Sequence, residues 1–304
     1  MTKNEVHAAI HRLANRRMCA PRPRRRAATL LTLVLWSACF TSLAPVIAPA
    51  APPGSRWARH TEASQTVLDH GIWQELLQRY VRPAADGINR FAYGDVDTAD
   101  RQRLDAYLAE LAATPVSTLS RREQRAYWVN LYNALTVRVI LDHYPVASIR
   151  DIDLSPGLFS AGPWDARLVT VEGVPLSLND IEHRILRPIW GDPRLHYAVN
   201  CASLGCPNLQ NEAFTAANSE RLLDQGAVAY VNAPRGAQVE AGQLRVSSIY
   251  VWFEEDFGGG DRGVIEHLKR YARPDLHARL NEIHSIAGHQ YDWRLNDAEP
   301  APPH

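Results

Sequence analysis

The chain has 304 residues, 46% of them hydrophobic and 22% charged, which is enough apolar material for one sizeable core or two smaller ones. Its zero net charge conceals an asymmetry, because eight Lys and Arg residues and only Glu5 precede residue 27, and residues 27 to 50 carry no charge. From residue 51 onward 25 basic residues face 32 acidic ones, so the remainder is about seven charges negative, which argues against binding a phosphate backbone and leaves no nucleic-acid partner expected.

The basic head and the apolar run Ala27 to Ala44 form a secretory pattern, and Ala48-Pro49-Ala50 offers small residues for cleavage. The alternative is an uncleaved single-span anchor. Either way the following domain is expected outside the cytoplasm, periplasmic or secreted or held at the inner membrane, with membrane contact only through this segment. Residues 1 to 50 are therefore read as signal or anchor and 51 to 59 as a spacer. Residues 60 to 296 are read as a single, mainly helical α+β domain with a small antiparallel sheet and β-hairpins, and 297 to 304 as a disordered tail.

Helical spacing begins with Val67, Leu68, Ile72, Leu76 and Leu77 and should stop before Pro83. Asp95 to Asp100 is turn-like, and Leu104, Tyr107, Leu108 and Leu111 predict a helix ending at Pro115. Ser120 and Glu123 make a capping box ahead of Ala126 to Leu141, which is apolar on nearly every side and so predicts a central buried helix. Arg167 to Val174 predicts a hairpin around Gly173, broken by Pro175. Ser177 and Asp180 then cap a helix carrying Leu178, Ile181, Ile185 and Leu186, ending near Arg187 because of Pro188. Tyr197 to Val199 reads as a brief strand that delivers Cys201 into a turn. Ala217 to Val231 predicts a helix, Ala237 to Val246 a hairpin pivoting on Gly242, and Ile249 to Phe257 an aromatic helix after Ser248. Gly258 to Gly260 form a loop, Asp261 caps a helix to Tyr271, and a last helix runs near Leu276 to Ile286.

The chemistry-bearing stretch is HYAVNCASLGCPNL, His196 to Leu209. If the N-terminal segment is removed, Cys19 and Cys39 go with it and Cys201 and Cys206 remain. One reading is a thiol active site: Cys201 as nucleophile, His183 as base with His196 as its substitute, and Glu182, Asn133 or Asn200 orienting the ring. Backbone donors of the Ala202 to Gly205 turn would hold the oxyanion. His183 shares a helix face with Asn179 and Arg187, which points it toward a polar pocket. A second reading is a Cys201–Cys206 disulfide, permanent or reversible, closing a short loop. A third is zinc held by Cys201, Cys206, His183 and His196, but no second cysteine pair or regular histidine spacing supports it, and no metal is expected. Arg187 and Arg194 could bind a substrate carboxylate, although ion pairs with Glu182 or Asp192 compete. His196 and Asn200 also belong to the expected binding surface. Trp252, Phe253 and Phe257 are simplest as core. No glycine pattern matches a phosphate loop, so no cofactor is expected.

Four blocks in order, WVNLYNALTV (Trp128 to Val137), LSLNDIEHRILR (Leu176 to Arg187), DPRLHYAVNCASLGCPNL (Asp192 to Leu209) and WFEEDF (Trp252 to Phe257), resemble the domain-of-unknown-function 547 family, with a weaker echo at Tyr291 to Asn296. The resemblance implies a fold without an assigned mechanism. In plant relatives the position like Cys206 is often serine while that like Cys201 stays cysteine, which implies that Cys201 carries the function. Together these observations lead to an exported protein with a cysteine-centred site, a thiol hydrolase or acyl or amide transferase acting through a Cys–His pair on a small-molecule, peptide or envelope substrate. The alternative is a non-catalytic envelope binding module with a structural disulfide.

Overall fold

The computed structural model describes residues 56–156 and 162–298, all within a unit of residues Ala50–His304; the N-terminal segment with Cys19 and Cys39, and residues 299–304 of the expected tail, lie outside the described residues. Among the described residues no helix is long and apolar enough to cross a membrane.

The fold is α+β and is organised around one helix. Helix α1 (Gly71–Tyr80) leads into the hairpin β1 (Val81–Pro83) and β2 (Asn89–Phe91), followed by α2 (Thr98–Ala113) and α3 (Arg121–His143). Every residue of α3 from Glu123 to Val137 is buried, as its all-round apolar sequence requires, so the first core cluster forms on all its sides. Its expected capping box is only half made. Ser120 Oγ accepts from the Glu123 N–H at 3.3 Å, but the Glu123 carboxylate turns outward to accept from the Leu68 N–H at 2.8 Å. That bond holds Leu68 ahead of α1, and Val67, expected in the helix, is 78% exposed. Trp57, in the expected spacer, packs edge-on against Trp128 at 5.2 Å.

Strands β3 (Val169–Val171) and β4 (Val174–Leu176) turn at Glu172-Gly173, and Pro175 sits inside β4 opposite Thr170 instead of breaking the hairpin. Ser177 and Asp180 cap each other reciprocally, Ser177 Oγ accepting from the Asp180 N–H at 3.1 Å and Asp180 Oδ2 from the Ser177 N–H at 3.0 Å. The following turns have the wide π register over Asp180–Leu186, with the Arg187 N–H bonded to the Glu182 carbonyl, and run straight into α4 (Arg187–Trp190). Pro188 therefore does not end the helix. It falls in the first turn after the wide register, where its missing N–H costs least.

Helix α5 (Ser219–Val231), the hairpin β5 (Ala237–Glu240) and β6 (Gln243–Ser247), α6 (Ser248–Trp252), α7 (Gly260–Tyr271) and α8 (Pro274–Leu280) enclose a second core cluster. The cap of α6 is Ser247, not Ser248, and the aromatic helix breaks at Phe253 into a separate 3₁₀ turn, Glu254–Phe257. Asp261 lies inside α7 and accepts from the Ile286 N–H at 2.9 Å. The last helix stops at Leu280, and Ile286 opens strand β7 (Ile286–Gln290), parallel to β6. After β7 the chain crosses back to the first cluster, where Asp297, expected in the tail, bridges to Phe91 and accepts from the Tyr144 hydroxyl at 2.8 Å.

Candidate functional site: a thiol pair between two cores

The segment from Asp192 to Cys206 runs along the seam of the two clusters, with Tyr197 in the second and Ala198, Val199 and Ala202 in the first. This division also explains why the expected strand is absent. Pro193–Tyr197 is a 3₁₀ turn capped by Asp192, and the apolar residues after it serve two different cores instead of one sheet face.

The segment is pinned from α3. Asn130 and Asn133, three residues apart and so on one helix face, each use both ends of the amide on loop backbone. Asn130 binds the carbonyl and N–H of Phe214 at 2.7 and 3.0 Å, and Asn133 donates to the Ala198 carbonyl and accepts from the Asn200 N–H, both at 2.9 Å. Asn133 therefore holds the cysteine loop and orients no imidazole. Asn200 is likewise occupied, donating to the Pro207 carbonyl at 2.7 Å and accepting from the Ala202 N–H at 2.9 Å, so its side chain shapes the turn instead of facing a ligand.

Cys201 is half-exposed and Cys206 is buried; both are free, with the sulfurs 3.0 Å apart. Tyr291 and Ser203 complete the cluster, their hydroxyls 3.0 and 3.2 Å from Sγ of Cys201, and the Ser203 hydroxyl donates to that of Tyr291 at 3.0 Å. The Cys201 N–H donates to Sγ of Cys206 at 2.9 Å. Hydrogen bonds from Cys206, Ser203 and Tyr291 lower the pKa of the Cys201 thiol against the opposing effect of burial, whereas burial and the neighbouring Cys201 push the Cys206 thiol well up. Between the two positions, Ala202 adopts the left-handed φ of 58°, an uncommon backbone for a side-chain-bearing residue.

The remaining expected residues form a separate cluster beside this one. Asp256 accepts from Arg187 Nε at 2.5 Å and Nη2 at 3.1 Å and from His196 Nε2 at 2.6 Å. Although burial raises its pKa, His196 and Arg187 hold the carboxyl well below the usual range. His183 Nδ1 accepts from Arg187 Nη1 at 3.1 Å, and burial together with Arg187 and His196 lowers its pKa. Phe253 stacks on the His196 ring at 4.6 Å, under the Arg187 guanidinium. Glu182 stands 3.8 Å from His196 and 3.9 Å from His183, and burial, helped by Glu182 and the two thiols, pushes the Tyr132 hydroxyl pKa well up. Arg194 is committed to Asp192, Glu220 and Asp224 at 2.7 to 2.8 Å.

Among the described residues neither imidazole hydrogen-bonds Cys201, so the expected Cys–His pair is not formed; both rings face the Arg187–Asp256 cluster instead. Three of the four expected oxyanion donors, those of Ala202, Leu204 and Gly205, are also occupied. The N–H groups of Ala202, Leu204, Gly205 and Cys206 bond to Asn200, Arg294, Asp292 and Ser203. Nor do the thiols and imidazoles converge into a zinc site: no group of three or more His, Cys, Asp or Glu is placed to hold a metal ion among the described residues. Sequence reasoning missed Ser203, Asp256 and Tyr291. The echo at Tyr291 to Asn296 is the signal for the last of these, and the acidic run of WFEEDF is the signal for Asp256.

Tyr291 reaches the sulfur because the chain just after β7 lies unusually close to the thiol turn at Gly205. A Cβ there would stand 2.7 Å from the Asp292 N, 2.9 Å from its carbonyl oxygen and 3.1 Å from the Tyr291 ring. Gly205→Ala is therefore expected to cost about 2 kcal/mol by forcing backbone apart. It should also withdraw the Tyr291 hydroxyl, so that the rate of Cys201 alkylation with iodoacetamide reaches its half-maximum at higher pH than in the parent protein.

Fold and cluster together define an α+β protein with a paired-thiol centre beneath a tyrosine, set where two hydrophobic cores meet. Residues 116–231, which carry α3, the π segment and both cysteines, match the family model described as "Protein of unknown function, DUF547", and this segment is what the chain shares with that family. No curated protein and no solved structure is matched by the chain.

Proposed function

We propose that the protein is an exported dithiol–disulfide exchange protein, with Cys201 as the attacking thiol and Cys206 as the resolving one. The observation that carries this reading is the asymmetry of the pair: a partly buried Cys201 whose thiol pKa is lowered by its hydrogen-bond partners, 3.0 Å from a buried Cys206 whose thiol is pushed up. Acyl transfer needs a base for the leaving group and donors for an oxyanion, and here neither imidazole hydrogen-bonds Cys201 and three of the four expected backbone donors are already used. Thiol exchange develops no oxyanion and needs only a thiolate and a resolving partner.

In the first step the Cys201 thiolate attacks one sulfur of a substrate disulfide, forming a mixed disulfide and expelling a thiolate that takes a proton from solvent. Cys201 is then no longer an anion, so one cause of the raised Cys206 pKa disappears, and the Cys201 N–H already on Sγ of Cys206 supports its ionisation. The Cys206 thiolate attacks Sγ of Cys201 and expels the second substrate thiolate. The protein pair is oxidised by two electrons and the substrate disulfide is reduced to two thiols; the reverse sequence oxidises a substrate dithiol. Export would place the pair in an oxidising compartment, where such exchange has partners.

The test uses the full chain carrying Cys19→Ser and Cys39→Ser, equilibrated in glutathione buffers of graded redox ratio and read by alkylation and intact mass. One two-electron transition is expected, with Cys206→Ser trapping glutathione on Cys201 and Cys201→Ser trapping none. Tyr291→Phe should raise the pH at which Cys201 labels by about one unit, since a hydrogen bond to a charged group is worth ~1.5–3 kcal/mol. If no intramolecular bridge forms at any ratio, or if a thioester accumulates on Cys201 with p-nitrophenyl acetate while glutathione is ignored, the exchange reading is wrong.

A further inference from the structure

Beside the thiol turn lies an open cleft of about 520 Å³, walled by Gly205, Tyr291, Trp293, Ala147 and Ser148, with Arg235 in its lining. Tyr291 belongs to both places, its hydroxyl on Sγ of Cys201 and the residue itself in the lining of the cleft. Arg235 is half-buried, and its buried Nε has no hydrogen-bond partner. Its hydrogen bond runs from Nη2 to Asn208 Oδ1 at 2.6 Å, and its guanidinium lies 5.5 Å from the Tyr230 ring centre. Asn208 is itself fixed, accepting from the Asn89 N–H at 2.8 Å and donating to the Gly87 carbonyl at 2.9 Å, so the guanidinium is held in place by a rigid support.

The charges around Arg235 are already paired with other groups. Asp292, which also lines the cleft, is bound by Arg294, and Asp86 is bound at 2.6 Å by Arg90. Among the described residues no carboxylate makes an ion pair with Arg235, so the cleft carries one uncompensated cation. Burial of that cation lowers its pKa, the mark of a charge taken from water without full compensation. Such a group is costly unless something negative arrives.

We propose that this cleft binds the carboxylate of a small planar or aromatic molecule, with Arg235 gripping the carboxylate and Tyr291 and Trp293 contacting the ring, and that this selects carboxylate-bearing disulfides or thiols for Cys201. The second half rests on the exchange reading given above; the first half does not. Arg294, also in the lining, is taken up by Asp292, which leaves one guanidinium and so suits a carboxylate monoanion better than a phosphate dianion.

The binding half is tested by quenching of tryptophan fluorescence with 4-nitrobenzoate, in the full chain and in its Cys201→Ser variant. Saturable quenching is expected in both, weakened about tenfold in Arg235→Gln and less in Arg235→Lys, and absent with the neutral 4-nitrobenzamide. Equal behaviour of the acid and the amide on the parent protein overturns the proposal even if Arg235→Gln folds poorly, and so does inorganic phosphate displacing 4-nitrobenzoate at lower concentration than benzoate does. The selectivity half compares reaction rates with the anionic 5,5′-dithiobis(2-nitrobenzoate) and the neutral 2,2′-dithiodipyridine, where Arg235→Gln should slow only the first, by about tenfold. An unchanged ratio overturns that half. Quenching that persists while neither disulfide reacts at Cys201 separates the failure of the exchange reading from that of the anion site.

Discussion

Asn133→Ala is expected to lower the unfolding free energy by about 2–5 kcal/mol, because it leaves two buried backbone groups without partners. The Ala198 carbonyl and the Asn200 N–H are both satisfied by this one side chain, at 2.9 Å each, from the most buried helix of the fold. Ala198 and Asn200 are both buried, so each group carries roughly the ~1–3 kcal/mol penalty of an unmet hydrogen bond, and the vacated side-chain volume adds to it. Asn133→Asp keeps the acceptor but loses the donor and buries a charge, so it should be at least as damaging. Urea denaturation measures both, with the midpoint falling and the slope unchanged if the folded state keeps its compactness. Because the amide holds the loop that bears Cys201, hydrogen exchange at residues 198 to 206 should quicken more than at α2. A loss below about 1 kcal/mol with unchanged exchange would show that the turn stands without its pin.

The features that could be read from the chain are those fixed by neighbours in sequence. Helix α3 was legible because Ala126 to Leu141 is apolar on nearly every side, and such a helix is buried. The Ser177–Asp180 cap and the turns at Gly173 and Gly242 followed from residue chemistry within a few positions. Glu123 shows the limit of that logic: its carboxylate had a local acceptor role available at Ser120 and took a distant one at Leu68. Ile286, expected to end the last helix, instead opens strand β7, whose identity comes from pairing with β6, some forty residues earlier. The same dependence on distant pairing hid the site. Cys201, Cys206 and Ser203 are within five residues, but Tyr291 arrives only after β7 is laid down, and His196 faces Asp256 because the turn after α6 carries that carboxylate over it. Residue types alone made a histidine the natural partner of a thiol. Geometry gave the thiol a tyrosine, and gave the histidines a carboxylate and an arginine.

Acidification should destabilise the protein steeply well before its carboxylates titrate, through two histidines outside the thiol site. His70 is 5% exposed with Nδ1 2.7 Å from the Tyr107 hydroxyl, and His267 is 3% exposed with Nε2 2.7 Å from the Tyr197 hydroxyl. Burial lowers both pKa values to about 4, only partly opposed by Asp69 at the first and by Asp192 at the second, where Arg270 and His196 add to the lowering. In the unfolded chain each ring titrates near 6.5, so between pH 6.5 and 4 the unfolded state binds more protons and stability must rise with pH. Each ring's contribution is therefore complete above pH 6.5 and is lost as pH falls toward 4, by ~3 kcal/mol per ring at the limit. His183 slopes the same way but is partly exposed and adds less. Carboxylates with depressed pKa values, such as Asp100 and Asp256, extend the loss only below about pH 4. Urea midpoints at pH 7.5, 6, 5 and 4.5 measure the slope, and His70→Gln with His267→Gln should flatten most of it while costing some stability at pH 7.5. A parent protein equally stable at pH 7.5 and 4.5 would mean that these rings accept protons in the folded state, and that the tyrosine hydroxyls beside them turn to accommodate the charge.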